Sequence, residues 1–220
     1  SNQAASRPPT LYILSAPSGG GKSSLARALA DLAENIVTSV SHTTRPQRPG
    51  ETDGVDYFFV DPARFEQMAK DDGFLEHAQV FGHCYGTSRH AVEKAIKSSQ
   101  SVLLDIDWQG AQQVRATFKE AVSVYILPPS VEVLAQRLAD RGRETPEQIS
   151  ARLDEAASEM SHYGEYDHIL VNSEFDQALG ELEALIHRGE PPESGRGFDV
   201  AALVDCAKSV RLKTSETANL

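Results

Sequence analysis

Cysteine is scarce in this chain, with two in 220 residues, at positions 84 and 206. Neither sits in metal-ligand spacing, and two distant thiols build no disulfide framework, so a reduced pair is expected. No apolar run approaches the ~20 residues of a membrane-spanning helix. No leader pattern opens the chain either, and a cytoplasmic protein away from the bilayer is expected. Basic residues are outnumbered: 21 Lys and Arg stand against 32 Asp and Glu, for a net charge of −11. A body of that sign repels nucleic-acid polymers and anionic membranes, so neither is expected as a main partner. Internal repeats are absent, which excludes a solenoid. What remains is ordinary for a globular α/β domain with a modest insertion: 40% apolar and 24% charged residues.

The charge is unevenly placed. Residues 1–50 hold five basic groups (Arg7, Lys22, Arg27, Arg45, Arg48) and two acidic ones (Asp31, Glu34), so this stretch is net +3 and the remainder −14. Inside it, an apolar run from Leu11 leads into Ala16-Pro17-Ser18-Gly19-Gly20-Gly21-Lys22-Ser23, and a helical pattern follows (Leu25, Ala28, Leu29, Leu32). Strand, glycine loop and helix in that order form a nucleoside-triphosphate site. Backbone N–H groups of Ser18 to Ser24 converge on phosphate oxygens where no Cβ blocks them, and the new helix adds its positive end. Lys22 would sit between the β- and γ-phosphates, and the Ser23 hydroxyl would ligate Mg²⁺. The first motif position is Ala16 where the pattern asks for Gly. A Gly/Ser-rich turn that merely contains Lys-Ser is the structural alternative, and the strand–helix context weighs against it.

Strand-like runs are expected at 11–15, 36–41, 55–60, 74–81, 102–106, 122–127 and 168–171. Helical patterns separate many of them, at 23–33, 62–71, 89–97, 109–116, 131–140, 146–162 and 176–187. That alternation predicts a parallel sheet flanked by helices. Asp61-Pro62 and Thr145-Pro146-Glu147-Gln148 read as helix starts, the second a capping box. Residues 41–88 break the rhythm with turn signals and read as a small, mainly β insertion in a core made of 10–40 and 89–188. Residues 1–9 and 213–220 are expected to be disordered. Between 189 and 220 lies a Gly/Pro-rich linker, then an apolar-striped stretch from Phe198 to Leu212. That stretch packs on its own subunit or makes a homo-oligomer contact.

Arg45-Pro46-Gln47-Arg48-Pro49-Gly50 sets two arginines three apart between prolines, a fork suited to a dianionic phosphate. With this segment beside the glycine loop, the chain resembles the guanylate kinases. The matching segments run in the family's order: Ser-Ala-Pro-Ser-Gly-Gly-Gly-Lys-Ser-Ser, Ser-Val-Ser-His-Thr-Thr-Arg, Arg-Pro-Gly-Glu, Asp-Tyr-Phe-Phe-Val, Phe-Leu-Glu-His-Ala, Tyr-Gly-Thr-Ser, Leu-Asp-Ile-Asp-Trp-Gln-Gly and Ile-Leu-Pro-Pro-Ser. Within that family Ala at position 16 is a known variation. The resemblance implies a phosphate-loop nucleoside-monophosphate kinase fold. Its parts would be a five-stranded parallel core sheet, a GMP-binding insertion and a short helical lid at about 137–152.

By the same resemblance, Ser41, Arg45, Arg48, Tyr57 and Tyr85 would hold the GMP phosphate, and Glu76, Thr87 and Asp107 would choose the base. The chemistry agrees, because an ionised carboxylate only accepts hydrogen bonds and guanine presents N1–H and N2–H side by side. A solvent-facing carboxylate on an alternating strand is the structural alternative for Glu76, and helix capping is the alternative for Asp107. Asp105, at a strand end, falls in the Mg²⁺ neighbourhood, acting through water. Arg141 and Arg152 match catalytic positions of the lid, while Arg137 and Asn172 match ATP contacts. Arg143 stands at a variable position, where solvation is the plainer account.

These residues imply in-line transfer of the ATP γ-phosphoryl to GMP, with Lys22, Arg48, Arg141, Arg152 and Mg²⁺ stabilising charge. ATP and GMP are the expected partners, with dGMP a further candidate acceptor. Two other readings compete: a same-fold kinase for a ribose bisphosphate, and a non-catalytic guanylate-kinase-like binding module. The base-reading residues argue against the first, and the intact Gly21-Lys22-Ser23 argues against the second.

Overall fold

A computed structural model describes residues 8–33, 35–140 and 145–217. Nine strands and eight α-helices occur among these residues. The larger sheet has the strand order β2-β7-β1-β8-β9 and the smaller one β4-β3-β6-β5. In the larger sheet β2 (Ile36–Thr38) pairs parallel with β7 (Ser101–Asp105), and β8 (Val122–Leu127) pairs parallel with β9 (His168–Val171). β1 (Leu11–Ser15), β7 and β8 are almost wholly buried apolar runs, as strands covered on both faces must be. The α/β fold with a five-stranded core sheet therefore matches the expectation.

The chain forms two compact units: residues 1–13 with 30–122, and 14–29 with 123–220. In the first, β5 (Phe74–Val80) and β6 (His83–Ser88) make an antiparallel hairpin. β3 (His42–Thr43) lies antiparallel to β6, and β4 (Phe58–Phe59) lies parallel to β3. The hairpin turns at Phe81-Gly82, both with positive φ (49° and 78°). Despite the turn signals of 41–88, most of 81–86 is strand, because two residues suffice to reverse the chain. The run 55–60 contributes only Phe58–Phe59 as strand; residues 52–57 coil into a turn in which the Val55 and Asp56 amides both donate to the Thr52 carbonyl. Helix α2 (Pro62–Lys70) starts at the expected Asp61 cap, which accepts the Arg64 N–H at 2.8 Å. Helices α3 (Arg89–Lys97) and α4 (Trp108–Thr117) complete this unit.

The second unit holds the glycine loop, the start of α1 (Lys22–Leu32), and helices α5 (Val131–Ala139), α6 (Pro146–Met160), α7 (Phe175–Arg188) and α8 (Val200–Thr217). Thr145 and Gln148 form the expected capping box at the start of α6. The C-terminal segment is more ordered than its composition suggests. Ser194 accepts the Val171 N–H of β9 at 3.0 Å and donates to Glu181 at 2.7 Å, which fixes the linker. Helix α8 runs to Thr217, so the expected disorder from 213 is corrected over 213–217; residues 218–220 lie outside the described residues.

The helix persists because it has a partner. Buried Val200, Leu203, Val204 and Ala207 recur at i, i+3, i+4 and i+7, and so do buried Leu153, Ala156, Ala157 and Met160 on α6. Helices α8 and α6 pack against each other, and both touch α5. Each buried Val or Leu is worth about 1.5–3 kcal/mol. Truncation after Gly189 is therefore expected to lower Tm by roughly 10 °C or more. Thermal denaturation followed by circular dichroism checks this, and an unchanged Tm would show that α8 contributes nothing.

Candidate functional site

The glycine loop is shaped by two different demands. Gly19 and Gly21 have φ of 88° and 90°, a region that side chains other than glycine avoid. Gly20 does not, and its need is for space: a Cβ there would lie 2.7 Å from the Cβ of Ala16. With Ala at the first motif position, position 20 therefore has to be glycine. A turn closed by the Gly20 N–H on the Pro17 carbonyl (2.9 Å) leads into α1, whose first residue is Lys22. Lys22 is half-buried, while Ser23 and Ser24 are exposed at the helix start, where N–H groups lack intrahelical partners.

Two expected ATP contacts converge on this loop. Asn172, buried after β9, donates from Nδ2 to the Gly20 carbonyl at 3.0 Å. Arg137 on α5 donates from Nη2 to the Asn172 carbonyl at 2.9 Å. Among the described residues, Arg137 Nη1 and Asn172 Oδ1 are buried with no hydrogen-bond partner. Such groups cost about 1–3 kcal/mol each unless a ligand or water meets them, so a donor and an acceptor stand ready beside the loop. Burial lowers the Arg137 pKa, with Glu174 pulling in the opposite direction. Arg152 is half-buried on α6. Arg141 and Arg143 lie outside the described residues.

One residue here escaped the sequence reading. The Ser18 N–H donates to Glu159 Oε2 at 3.0 Å, linking the loop to the last turn of α6. Its only sequence signal is a spacing of seven from Arg152, too weak alone to single it out.

The other expected residues lie in the first unit. Arg45 is buried (8% exposed), and its guanidinium is already engaged. Nη1 donates to Glu51 Oε2 (3.1 Å) and the Pro46 carbonyl (2.8 Å), and Nη2 donates to Glu51 Oε1 (2.6 Å). Glu51 also accepts the Arg48 backbone N–H at 2.8 Å. The Glu51 carboxylate raises the Arg45 pKa, and Arg45 with the Arg48 amide lowers that of Glu51. The arginine pair is therefore not a symmetric fork: Arg45 is locked in place and Arg48 is exposed. The Arg45 guanidinium lies 5.3 Å from the Tyr57 ring centre, and the Tyr57 and Tyr85 rings meet edge to face at 5.9 Å. Arg45, Arg48, Tyr85, Phe81 and His83 help line a cleft of about 430 Å³. Ser41 is half-buried at the entrance to β3.

Glu76 departs from the alternating pattern of its strand. A bulge in β5 between Phe74 and Glu76 breaks the register, so Phe74, Leu75 and Glu76 are all buried in succession. Glu76 is 4% exposed and Thr87 fully buried, and the Thr87 hydroxyl donates to Glu76 Oε1 at 2.5 Å. Glu76 Oε2 comes within 2.5 Å of where a Cβ on Gly110 would be, so only glycine admits it to the start of α4. Asp107 caps that helix: Oδ1 accepts the Gly110 N–H and Oδ2 the Gln109 side-chain amide, both at 2.9 Å. The capping alternative for Asp107 is thus realised through Oδ1, while Oδ2 is held by a side chain. Asp105 ends β7, half-buried.

No helix among the described residues is long and apolar enough to cross a membrane. Cys84 and Cys206 are both free.

Comparison with known proteins gives a consistent picture. The family profile described as guanylate kinase matches residues 8–189. A guanylate kinase of Alkalilimnicola ehrlichii is 55% identical over 190 residues, covering 84% of this chain and 94% of its own. One from Chromohalobacter salexigens is 55% identical over 178 residues, covering 81% and 83%. The crystal structure of guanylate kinase from Anaplasma phagocytophilum superposes with a TM-score of 0.70 at 36% identity, covering 87% of this chain and 90% of its own.

Proposed function

The chain belongs to the guanylate kinase family, and on that premise we infer how its residues transfer the γ-phosphoryl group of ATP to GMP. The carrying observation is the buried Glu76–Thr87 pair on the acceptor side. A sugar bisphosphate has no base for a buried carboxylate to read, and a peptide-binding module has no use for an intact triphosphate loop. Both competing readings therefore leave a built feature idle.

The residues divide by charge. Lys22 and the N–H groups of Gly19 and of Gly21 to Ser24 take the β- and γ-phosphates; Ser18 contributes its hydroxyl, its N–H being given to Glu159, and Gly20, whose N–H closes the turn on Pro17, gives the loop its room. Arg137 Nη1 and Asn172 Oδ1 complete the nucleotide's contacts. Arg45, fixed by Glu51, and Arg48 take the GMP phosphate with Ser41, Tyr57 and Tyr85. Glu76 accepts guanine N1–H and N2–H, with Thr87 fixing its rotamer and Asp107 Oδ2 available once Gln109 releases it. We assign 41–88 as the GMP-binding segment and about 137–152, with Arg141 and Arg152, as the lid.

The Ser23 hydroxyl, a hard oxygen donor, would hold Mg²⁺, and Asp105 is proposed as a further ligand acting through water. When bound, the ion neutralises charge on the transferring phosphoryl group. An oxygen of the GMP phosphate attacks the γ-phosphorus in line, and the bond to the β–γ bridging oxygen breaks, giving GDP and ADP. The acceptor oxygen is already anionic, so no side chain need act as a strong base. Free nucleotides place this work in the cytoplasm, with no role for a nucleic-acid polymer or a membrane; dGMP is a further acceptor to test, and self-association is open to sedimentation.

A coupled ADP-release assay with Mg-ATP and GMP, AMP or a ribose bisphosphate is expected to give GMP turnover at least a hundredfold above the others in kcat/KM, roughly the discrimination of a hydrogen-bonding pocket. Equal turnover of AMP would remove the base-reading assignment. Preference for the sugar phosphate would replace it.

A further inference from the structure

Glu159 belongs to no motif, yet it connects two parts of the transfer machinery. Its Oε2 accepts the Ser18 N–H at 3.0 Å, while its own helix α6 carries Arg152. Seven residues separate Arg152 from Glu159, about two turns, so the two side chains leave the helix within roughly 20° of the same direction. They flank the buried stripe Leu153, Ala156, Ala157 and Met160. That stripe belongs to a helix packed on α8 and α5, so the line of Arg152 and Glu159 has little freedom to roll.

The loop end of this contact is equally rigid. Ser18 lies inside the turn closed by Gly20 N–H on the Pro17 carbonyl, and Gly20 is held in turn by Asn172. A hydrogen bond from this turn to Glu159 therefore fixes α6 relative to the phosphates bound by the same loop.

We propose that Glu159 is a positioning residue for phosphoryl transfer: it anchors α6 to the glycine loop and so holds Arg152 at the γ-phosphoryl group. This rests on the assignment of Arg152 to charge stabilisation made above. Glu159 touches no reacting atom and acts through Arg152. Its loss affects the transition state, in which charge on the transferring group is spread, more than the binding of either substrate.

The test is a double-mutant cycle on kcat for GMP phosphorylation. Glu159→Ala is expected to lower kcat roughly tenfold to a hundredfold, the range for losing a hydrogen bond to a charged group, with the KM for GMP little changed. Glu159→Gln keeps a carbonyl acceptor for the Ser18 N–H and is expected to recover most of that loss. In an Arg152→Ala background, Glu159→Ala is expected to cost less than threefold more, because the group it positions is gone. A full additive loss in that background, or equal losses for Gln and Ala with unchanged melting curves, would overturn the proposal. The Arg152→Ala single variant separates the two claims. If it retains wild-type kcat, the assignment of Arg152 is wrong; if it loses activity while the cycle is additive, only the role of Glu159 is wrong.

Discussion

Lys22→Ala is expected to lower kcat for GMP phosphorylation by roughly a thousandfold while the protein stays folded. The ammonium belongs to the first residue of α1, on a loop whose path is shaped by the glycine conformations at Gly19 and Gly21 and by the space Gly20 leaves beside Ala16. Its removal therefore leaves the strand–loop–helix unit standing. What disappears is the cation proposed for the β- and γ-phosphate oxygens, where negative charge shifts as the phosphoryl group moves. Single preorganised contacts of this kind are worth about a hundredfold to a thousandfold. Removing a full charge falls at the upper end of that range. The KM for GMP is expected to change little, since Lys22 faces the donor. A coupled assay with a melting curve on the same preparation decides the matter. A loss below tenfold with intact folding would deny Lys22 its role, and an unfolded variant would show that the lysine holds the loop itself.

The donor side was the more legible half in sequence, for a physical reason. A glycine loop between a strand and a helix is a local device, with its requirements concentrated in eight consecutive residues, so Ala16 to Ser23 announce themselves. Helix starts were equally plain where one residue supplies the cap, as at Asp61 and Thr145. The acceptor side is built from pairings distant in the chain. Thr87 meets Glu76 across the β5–β6 hairpin, and Gly110 makes room for Glu76 from a helix further on. The bulge that turns Glu76 inward depends on how β5 sits against β6, which alternation along one strand cannot reveal. The same limit hid Glu51 and Glu159. Each is an ordinary surface-type residue until the fold brings it to Arg45 or to the Ser18 amide. Helix α8 was half legible: its stripe is evident, but the matching stripe of α6 that covers Val200 to Ala207 is not.

These differences bear on how the two arginines after β3 are understood. Sequence spacing makes them equivalent, while the structure gives one a fixed carboxylate partner and leaves the other exposed. Arg45 is thus preorganised, its entropy already lost before a phosphate arrives. Arg48, exposed, would have to order on binding if it takes the GMP phosphate as proposed.

Glu76→Gln is expected to collapse the preference for GMP over AMP by roughly a thousandfold in kcat/KM while leaving the KM for ATP within about threefold. The carboxylate offers acceptors only, one oxygen fixed by the Thr87 hydroxyl and the other reaching toward the start of α4. Guanine meets it with two adjacent donors. A glutamine in the same rotamer replaces one acceptor by an NH₂ group, so one guanine N–H then faces another donor in a buried place. Losing a hydrogen bond to a charged group costs about 1.5–3 kcal/mol, and the opposed donors add a desolvation cost of similar size. Adenine has a bare N1 at that edge, which the new NH₂ can satisfy, so AMP is expected to gain as GMP loses. The two shifts act in opposite directions on one ratio, which is why the ratio moves further than either rate. Competition between GMP and AMP in one reaction, read as GDP against ADP formed from labelled acceptor, measures it directly. A preference that survives the substitution would remove Glu76 from base reading. It would leave the buried Glu76–Thr87 pair as a structural tie between β5 and β6.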